Sequence, residues 1–285
     1  MRMLIGSASL LIVAVFLTSL VLAGPRPSDR VSVSVNEQAR RVDISVDGQP
    51  FTSYIWPTTL KKPVLYPLRT ATGTIVTRGF PLEQRPGERV DHPHHAGLWF
   101  NYENVNGIDF WNNSEAIKPE TAHQMGTIVQ RSIVSAKSGS EQGELEVETD
   151  WVTFDKKVLL QEHTHFVFRG GPRFRSEGKK GDLAWGTRGR WCNLSGLVGD
   201  EPVTITILDH PANPGFPTYW HARGYGLFAA NPLGQKIFSE GKQELNFSLA
   251  RNASVTFRYR ILIRSAIATP EATEAAYQDF VATYR

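Results

Sequence analysis

The chain has 285 residues, of which 21% are charged, and a formal net charge of only +3. Its basic residues are scattered and do not form the positive patch that nucleic-acid binding requires, so we expect no nucleic-acid partner. The single cysteine, Cys192, excludes an internal disulfide, and the fold must therefore be stabilised by a hydrophobic core. We expect this thiol to be buried rather than catalytic, because no base neighbours it in the sequence.

The amino terminus has the pattern of an export signal. A short basic start precedes an almost wholly apolar run over residues 4–22, and Ala23 offers a signal peptidase site. An uncleaved membrane anchor is the alternative, since the run is about as long as a bilayer span of about 20 residues. We favour cleavage, which predicts a signal peptide over residues 1–23, a single β-sandwich domain over residues 24–285, a periplasmic or secreted location, and no membrane contact after cleavage.

The rest of the chain alternates apolar and polar residues with a period of two, which is typical of half-buried strands. Because no helices separate these runs, they favour antiparallel sheets packed face to face. The tail is different: Pro270 precedes good helix formers and predicts a helix that begins there. We therefore predict an all-β fold, a large antiparallel β-sandwich with long loops and one C-terminal helix. The predicted strands lie at residues 31–35, 42–46, 51–55, 127–134, 145–154, 157–168, 203–208, 226–230, 245–249 and 255–263.

The irregular segment 66–111 contains the most informative motif, Asp-His-Pro-His-His at residues 91–95. Three of the eight histidines fall within four positions there, beside a carboxylate. Imidazoles bind metals and move protons near neutral pH. An extended backbone before the proline would point His92 and His94 to one face and His95 to the other. The alternative is that these histidines bond to the backbone and order a loop. We predict catalytic roles for Asp91, His92, His94 and His95, with His92 and His94 as candidate ligands of a divalent metal.

Other acid, base or ligand candidates lie further along the chain. A second segment rich in proline, histidine and aromatic residues runs from Asp209 to Gly226. In the predicted strand over residues 157–168, Glu162 faces the same side as apolar residues. Burial there would raise the pKa of its carboxyl group and suit it to proton transfer, unless it pairs with Arg188 or Arg190. A third metal ligand could come from Asp91, His123, Glu162, His210 or His221. Of these, Glu162, His210 and His221 complete the predicted catalytic set.

Aromatic and amide side chains crowd the same segments. Exposed aromatic rings stack on the apolar faces of sugars, and amide or carboxylate groups bond to hydroxyls, so this composition fits a carbohydrate cleft. Core packing beneath long loops is the alternative. The substrate-binding candidates from composition are Trp99, Asn106, Asp109, Trp111 and Trp220.

Several motifs together resemble the PmoA-like family, a group of exported bacterial proteins often labelled "methane oxygenase PmoA". They lie at residues 66–69, 91–95, 106–111, 185–191 and 209–221. The resemblance implies carbohydrate processing and adds Arg188 and Asn213 to the substrate-binding candidates. A methane monooxygenase subunit crosses the membrane several times, and the hydropathy of this chain contradicts that label. The connection over residues 169–175 is also shorter than the family pattern. The positions that match the family are Asp91, His92, His94, His95, Asn106, Asp109, Trp111, Arg188, His210, Asn213, Trp220 and His221.

Three hypotheses follow for the function. The leading one is an exported enzyme that acts on a small-molecule or oligosaccharide substrate through a His/Asp-rich cleft, by lyase, hydrolase or isomerase chemistry. The alternatives are a non-catalytic carbohydrate-binding protein and a metal-dependent oxygenase, which needs three converging ligands. The enzyme hypothesis requires the two histidine segments to meet in space, whereas in the binding alternative aromatic, Asn and Asp side chains suffice and the histidines only order loops.

Overall fold

The computed structural model describes residues 30–170 and 184–284. The predicted signal peptide lies outside the described residues, and so does most of the short connection over residues 169–175. In the described part, the chain forms several antiparallel sheets with one long helix at its carboxyl end, as predicted. None of the described helices has the length and apolar character that crossing a membrane requires.

The elements follow one another with few helices between them. The strands are β1 (Val31–Asn36), β2 (Arg41–Val46), β3 (Gln49–Ile55), β4 (Val64–Leu65), β5 (Asn104–Val105), β6 (Ile108–Asp109), β7 (Thr127–Lys137), β8 (Gln142–Val152), β9 (Val158–Arg169), β10 (Trp191–Val198), β11 (Glu201–Asp209), β12 (Tyr219–Ala222), β13 (Phe228–Asn231) and β14 (Tyr259–Arg264). The helices are α1 (Gln235–Phe238), α2 (Pro270–Thr283) and a 3₁₀ turn (Ala122–Gln124).

Two sheets face each other around the main core. The first has the order β1-β2-β3-β4 and the second the order β7-β8-β9. Along β8, residues alternate strictly between buried and partly exposed, so that one face is apolar. That face supplies Leu145 and Val147, which pack with Val31, Val42 and Ile44 of the first sheet. Burial of these apolar side chains holds the two layers together.

The third sheet, β10-β11-β14, packs against the C-terminal helix. Leu208 of β11 forms a buried cluster with Tyr277 and Phe280 of α2. The helix begins where the sequence predicts, because Pro270 occupies its first turn and the Thr269 side chain accepts a hydrogen bond from the Ala272 N–H.

The strand predictions fail in two places. Residues 245–249 alternate in sequence but form no strand, since Asn246 has a φ of +46° and most of the segment is exposed. The run predicted over residues 255–263 is a strand only from Tyr259. Five strands were not predicted: the two-residue strands β4, β5 and β6 and the longer strands β10 and β12. On β10, Cys192 is half-buried, and burial raises the pKa of its thiol to about 11, which keeps it protonated at neutral pH.

Candidate functional site

The 91–95 motif forms a turn instead of the predicted extended segment. His92 has a φ of +49°, in the left-handed region, and the His95 N–H donates to the His92 carbonyl at 2.9 Å. Pro93 occupies the second position of this turn, where its restricted φ is favourable. The prediction that His95 points away from His92 and His94 is therefore wrong. All three rings contact one another, with centroid separations of 4.3 to 5.7 Å.

Arg78 anchors this turn. Its Nη2 donates to the carbonyl oxygens of Asp91 and His92 at 2.6 and 2.7 Å, and its Nη1 lies 3.2 Å from the Asp91 carboxylate. His92 Nδ1 lies 3.3 Å from the other carboxylate oxygen of Asp91. His92 first, and then Arg78, lower the pKa of Asp91 below its ordinary value. Asp91 is thus ionised at neutral pH and orients the turn.

The two histidine segments meet through stacked rings. Tyr225, from the loop after β12, lies nearly parallel to His92 at a centroid distance of 5.1 Å. His92 in turn lies parallel to His95 at 5.1 Å, and His95 to Trp99 at 5.8 Å. Residues 91–99 and Tyr225 of the second histidine segment therefore lie together, as the enzyme hypothesis requires.

A second set of rings extends this contact towards β12. Trp111 stacks on His221 at 5.9 Å and meets the edge of His95 at 5.5 Å. The other side of His221 contacts Trp185 at 4.8 Å and Phe238 at 5.4 Å. We call this continuous group the ring cluster; it comprises His92, His94, His95, Trp99, Trp111, Trp185, His221, Tyr225 and Phe238.

Asp109 and Asn106 act on the ring cluster through the backbone. Asp109 accepts hydrogen bonds from the backbone N–H groups of Trp111 and Asn112 at 2.8 and 2.9 Å, which positions the Trp111 ring. Asn106 sits with Gly107 at positive φ in the tight turn between β5 and β6. An Asn-Gly pair suits such a turn, so Asn106 shapes the loop and is exposed.

Three imidazoles of the ring cluster, those of His94, His95 and His221, are neutral at physiological pH. Burial is the main cause, and it lowers the pKa of His94 to about 4, of His95 to about 3 and of His221 to about 4. Nearby positive charges, including Lys62 for His94 and Arg223 for His221, lower them further. His95 is only 9% exposed, and its Nε2 has no hydrogen-bond partner among the described residues. This buried nitrogen is therefore left unsatisfied by the described residues.

Two charged residues near the ring cluster were missed by sequence reasoning. Arg78 holds the histidine turn, and Lys62 is buried beneath it, 5% exposed, with its Nζ 5.0 Å from the centre of the Trp99 ring. Nothing in the local sequence separates the buried Lys62 from its neighbour Lys61, which pairs with Glu115.

Glu162 lies away from the ring cluster, on the inner face of β9. Trp151 Nε1 donates to its carboxylate at 2.7 Å, and the Thr164 hydroxyl donates to the other oxygen. Burial raises its pKa, in the direction that the sequence predicts. Its partners are thus a tryptophan and a threonine, and not Arg188 or Arg190 as the alternative proposed.

His210 and Asn213 lie at the junction of β11, its following loop and α2. The Asn213 amide donates to Asp209 and to the Arg258 carbonyl at 2.8 and 2.7 Å, and His210 packs against Phe280. Both residues are buried. Their contacts indicate a role in holding this junction together, at a distance from the ring cluster.

Trp220 and Arg188 border the site in different ways. Trp220 is 2% exposed and stacks on Phe228, because the alternation of β12 places it on the face opposite His221. Arg188 is exposed and donates to the carbonyl groups of Pro217 and Gly215, with its guanidinium 5.1 Å from the Tyr219 ring. Tyr219 lines an open groove of about 310 Å³ with Phe238 and Gln243.

The donors for a metal ion do not converge at the histidine turn. In the described residues, three His, Cys, Asp or Glu donor atoms come within 4.8 Å of one another only at Glu144, Glu146 and His165 on β8 and β9. His92 and His94 have no third donor at that spacing in this part of the chain.

These features define the class of protein: an antiparallel β-sandwich protein whose loops build a partly exposed cluster of histidines and aromatic rings. The sequence matches the family described as "Family of unknown function (DUF6807)" over residues 41–173 and 169–278. Since these segments cover most of the chain, the protein belongs to this family. No match is found among curated proteins or among solved structures.

Proposed function

We propose that the protein is exported and binds a carbohydrate or glycoside at the ring cluster, where neutral imidazoles catalyse proton transfer. The observation that carries the proposal is the meeting of residues 91–99, Trp111, His221 and Tyr225 in one group of rings. All but His95 and Ala96 of these residues remain at least partly exposed. Aromatic faces that water can reach suit stacking against a sugar ring.

The charges support an uncharged, hydroxyl-rich ligand. His94, His95 and His221 are neutral, so each imidazole offers one donor and one acceptor nitrogen. Sugar hydroxyls need both. In this proposal His94, which also lines a narrow cavity beneath the turn, is the base that removes a substrate proton, and Asp91 keeps the turn in place.

Export through a signal peptide over residues 1–23 and a periplasmic or secreted location belong to the same proposal. The resemblance of the histidine and tryptophan motifs to the PmoA-like family supports it, since that resemblance implies carbohydrate processing.

A non-catalytic carbohydrate-binding protein is the second candidate. The observation that favours it is the low pKa of His94 and His221, about 4 each, because a base is most effective when its pKa lies near the working pH. Binding without turnover across a broad substrate panel would support this candidate.

The test is calorimetric titration of the purified protein with a panel of oligosaccharides and oxidised sugars, with product analysis after incubation. Trp111→Ala removes the central stacking surface and should weaken binding about tenfold or more, equivalent to about 1.4 kcal/mol. His94→Ala should abolish turnover and leave binding within about threefold, because it removes the base and not the stacking surface.

His163→Ala is the matched control, since this histidine is exposed on β9 and contacts Glu146 outside the ring cluster. It should bind and turn over like the wild type. Equal binding by wild type and Trp111→Ala, or no binding to any member of the panel, contradicts the proposal.

A further inference from the structure

Lys62 is a buried cation without a carboxylate partner. Its Nζ donates to the Trp111 carbonyl at 3.2 Å, and no described residue forms an ion pair with it. An ammonium group has three donors, so this single bond leaves it under-satisfied. The neighbouring Lys61, by contrast, reaches Glu115 at the surface.

The burial of Lys62 favours the uncharged amine. Removal of an ammonium from water without a counter-charge is unfavourable, and a buried lysine responds by releasing its proton. Burial lowers the pKa of Lys62 to about 7, although Asp109 acts in the opposite direction. About half of the Lys62 side chains are therefore nucleophilic amines at pH 7, whereas an ordinary lysine is almost fully protonated.

A narrow cavity leads to this region. It measures about 40 Å³ and is lined by Lys62, Pro93, His94, Ala96 and Asn113, among others. This volume admits the end of an extended molecule rather than a closed sugar ring. Lys62 and His94 thus share a small space under the ring cluster.

We propose that Lys62 is a nucleophile that forms an imine with the open-chain carbonyl end of a sugar or a related small aldehyde. This inference rests on the proposed function, because the ring cluster would hold the remainder of the sugar while its carbonyl end enters the cavity.

The step balances as follows. The Nζ lone pair attacks the carbonyl carbon, the C–N bond forms, and His94 carries a proton from nitrogen to the former carbonyl oxygen. The nitrogen lone pair then expels that hydroxyl group, which takes a second proton from solvent and leaves as water, so that a protonated imine remains. The positive charge of Lys62 is one cause of the low pKa of His94. When Lys62 is a neutral amine, His94 is consequently a better proton acceptor.

The experiment is reductive trapping with glycolaldehyde and sodium cyanoborohydride at pH 7, followed by peptide mass spectrometry. The purified full-length protein is used, with reagent kept low enough for partial labelling. Lys62 should be labelled at least about tenfold more than Lys61, because far more of it is unprotonated. Lys62→Met should lose this label and remain folded, since Met suits a buried position, and Lys61→Met should label like the wild type.

Labelling of Lys62 that does not exceed that of Lys61 overturns the inference. A second measurement guards against slow access to the cavity: the rate of Lys62 labelling is determined across pH 6 to 9. A reactive Lys62 reaches half of its maximal rate near pH 7, and a Lys62 rate that still rises steeply at pH 9 also overturns it. If a sugar binds but Lys62 is not labelled selectively, the imine inference fails and the proposed function stands. If Lys62 is labelled selectively but no sugar binds, only the proposed function fails.

Discussion

The chemistry of individual side chains in the ring cluster is governed by burial. His221 is a clear example, because it lies between Trp111 and Trp185 with the Arg223 guanidinium 3.3 Å from the centre of the Trp185 ring. Desolvation and this nearby charge both disfavour a proton on the imidazole. The protein thus keeps an imidazole uncharged in a partly exposed position, where it can exchange hydrogen bonds with a ligand.

This arrangement predicts a pH dependence of stability. His221 titrates at about pH 4 in the folded chain, and its ordinary value is 6.5, so the unfolded chain binds more protons between these limits. The contribution of His221 is therefore fully present above pH 6.5 and is lost as the pH falls towards 4. His221→Gln should lose less thermal stability than the wild type between pH 6.5 and 4.5, as measured by calorimetry.

Burial raises the pKa of Asp209 to about 6, so the contribution of this group to stability has the opposite pH dependence. Asp209 is present in both wild type and His221→Gln, and its contribution therefore cancels when the two profiles are compared. His163→Gln serves as the control for removal of an exposed histidine. Identical pH profiles for wild type and His221→Gln would show that His221 is not desolvated as described.

Among the elements, the loop from β4 to β5 depends on a close approach of two backbones. The Leu65 N–H donates to the Leu98 carbonyl and the Leu98 N–H to the Leu65 carbonyl, so the loop is pinned to β4 just before Trp99. Gly97 has a φ of +61°, and a Cβ there would lie 2.4 Å from the Leu65 carbonyl oxygen. Only glycine fits this position without displacement of the loop.

Gly97→Ala should therefore lower the free energy of unfolding by about 3 kcal/mol and weaken the near-ultraviolet circular dichroism of the stacked rings. Gly73→Ala is a matched control: its φ is +90°, but an added Cβ meets no atom within 4 Å. This control should cost about 1 kcal/mol, from backbone strain alone. Equal losses in chemical denaturation would mean that the contact with Leu65 contributes nothing.

In this chain, the alternation of apolar and polar residues predicts a strand correctly where one face of that strand is buried. The strict alternation in β8 reports a real apolar face, whereas the alternation at residues 245–249 has no sheet to pack against and gives no strand. Pro270 marks the start of α2 because its effect is local. The failures concern segments whose structure depends on distant partners.

Over the whole molecule, the candidate site could be predicted only in part. The clustering of His92, His94 and His95 pointed to the correct loop, and Trp111 and His221 do join it. His210 and Asn213 lie in a similar sequence context, yet His210 packs against Phe280 of α2 and Asn213 bonds to Arg258, just before β14, since chain position alone does not reveal partners. Lys62 gave no signal because burial is a property of the fold.

The ring cluster lies where loops from both halves of the chain meet. Residues 91–111 come from the loops between the two sheets of the sandwich, and residues 185–238 come from the region around β12 and β13. Neither half builds the cluster alone. A ligand bound there must touch both.

The most direct measurement is a crystal structure of the protein with the tightest-binding sugar from the panel. We expect density for a sugar ring against Trp111 and His221, with a hydroxyl within hydrogen-bond distance of a ring-cluster imidazole. A sugar bound elsewhere, for example on the Glu144 and His165 face of β8 and β9, with the ring cluster empty, would contradict this expectation.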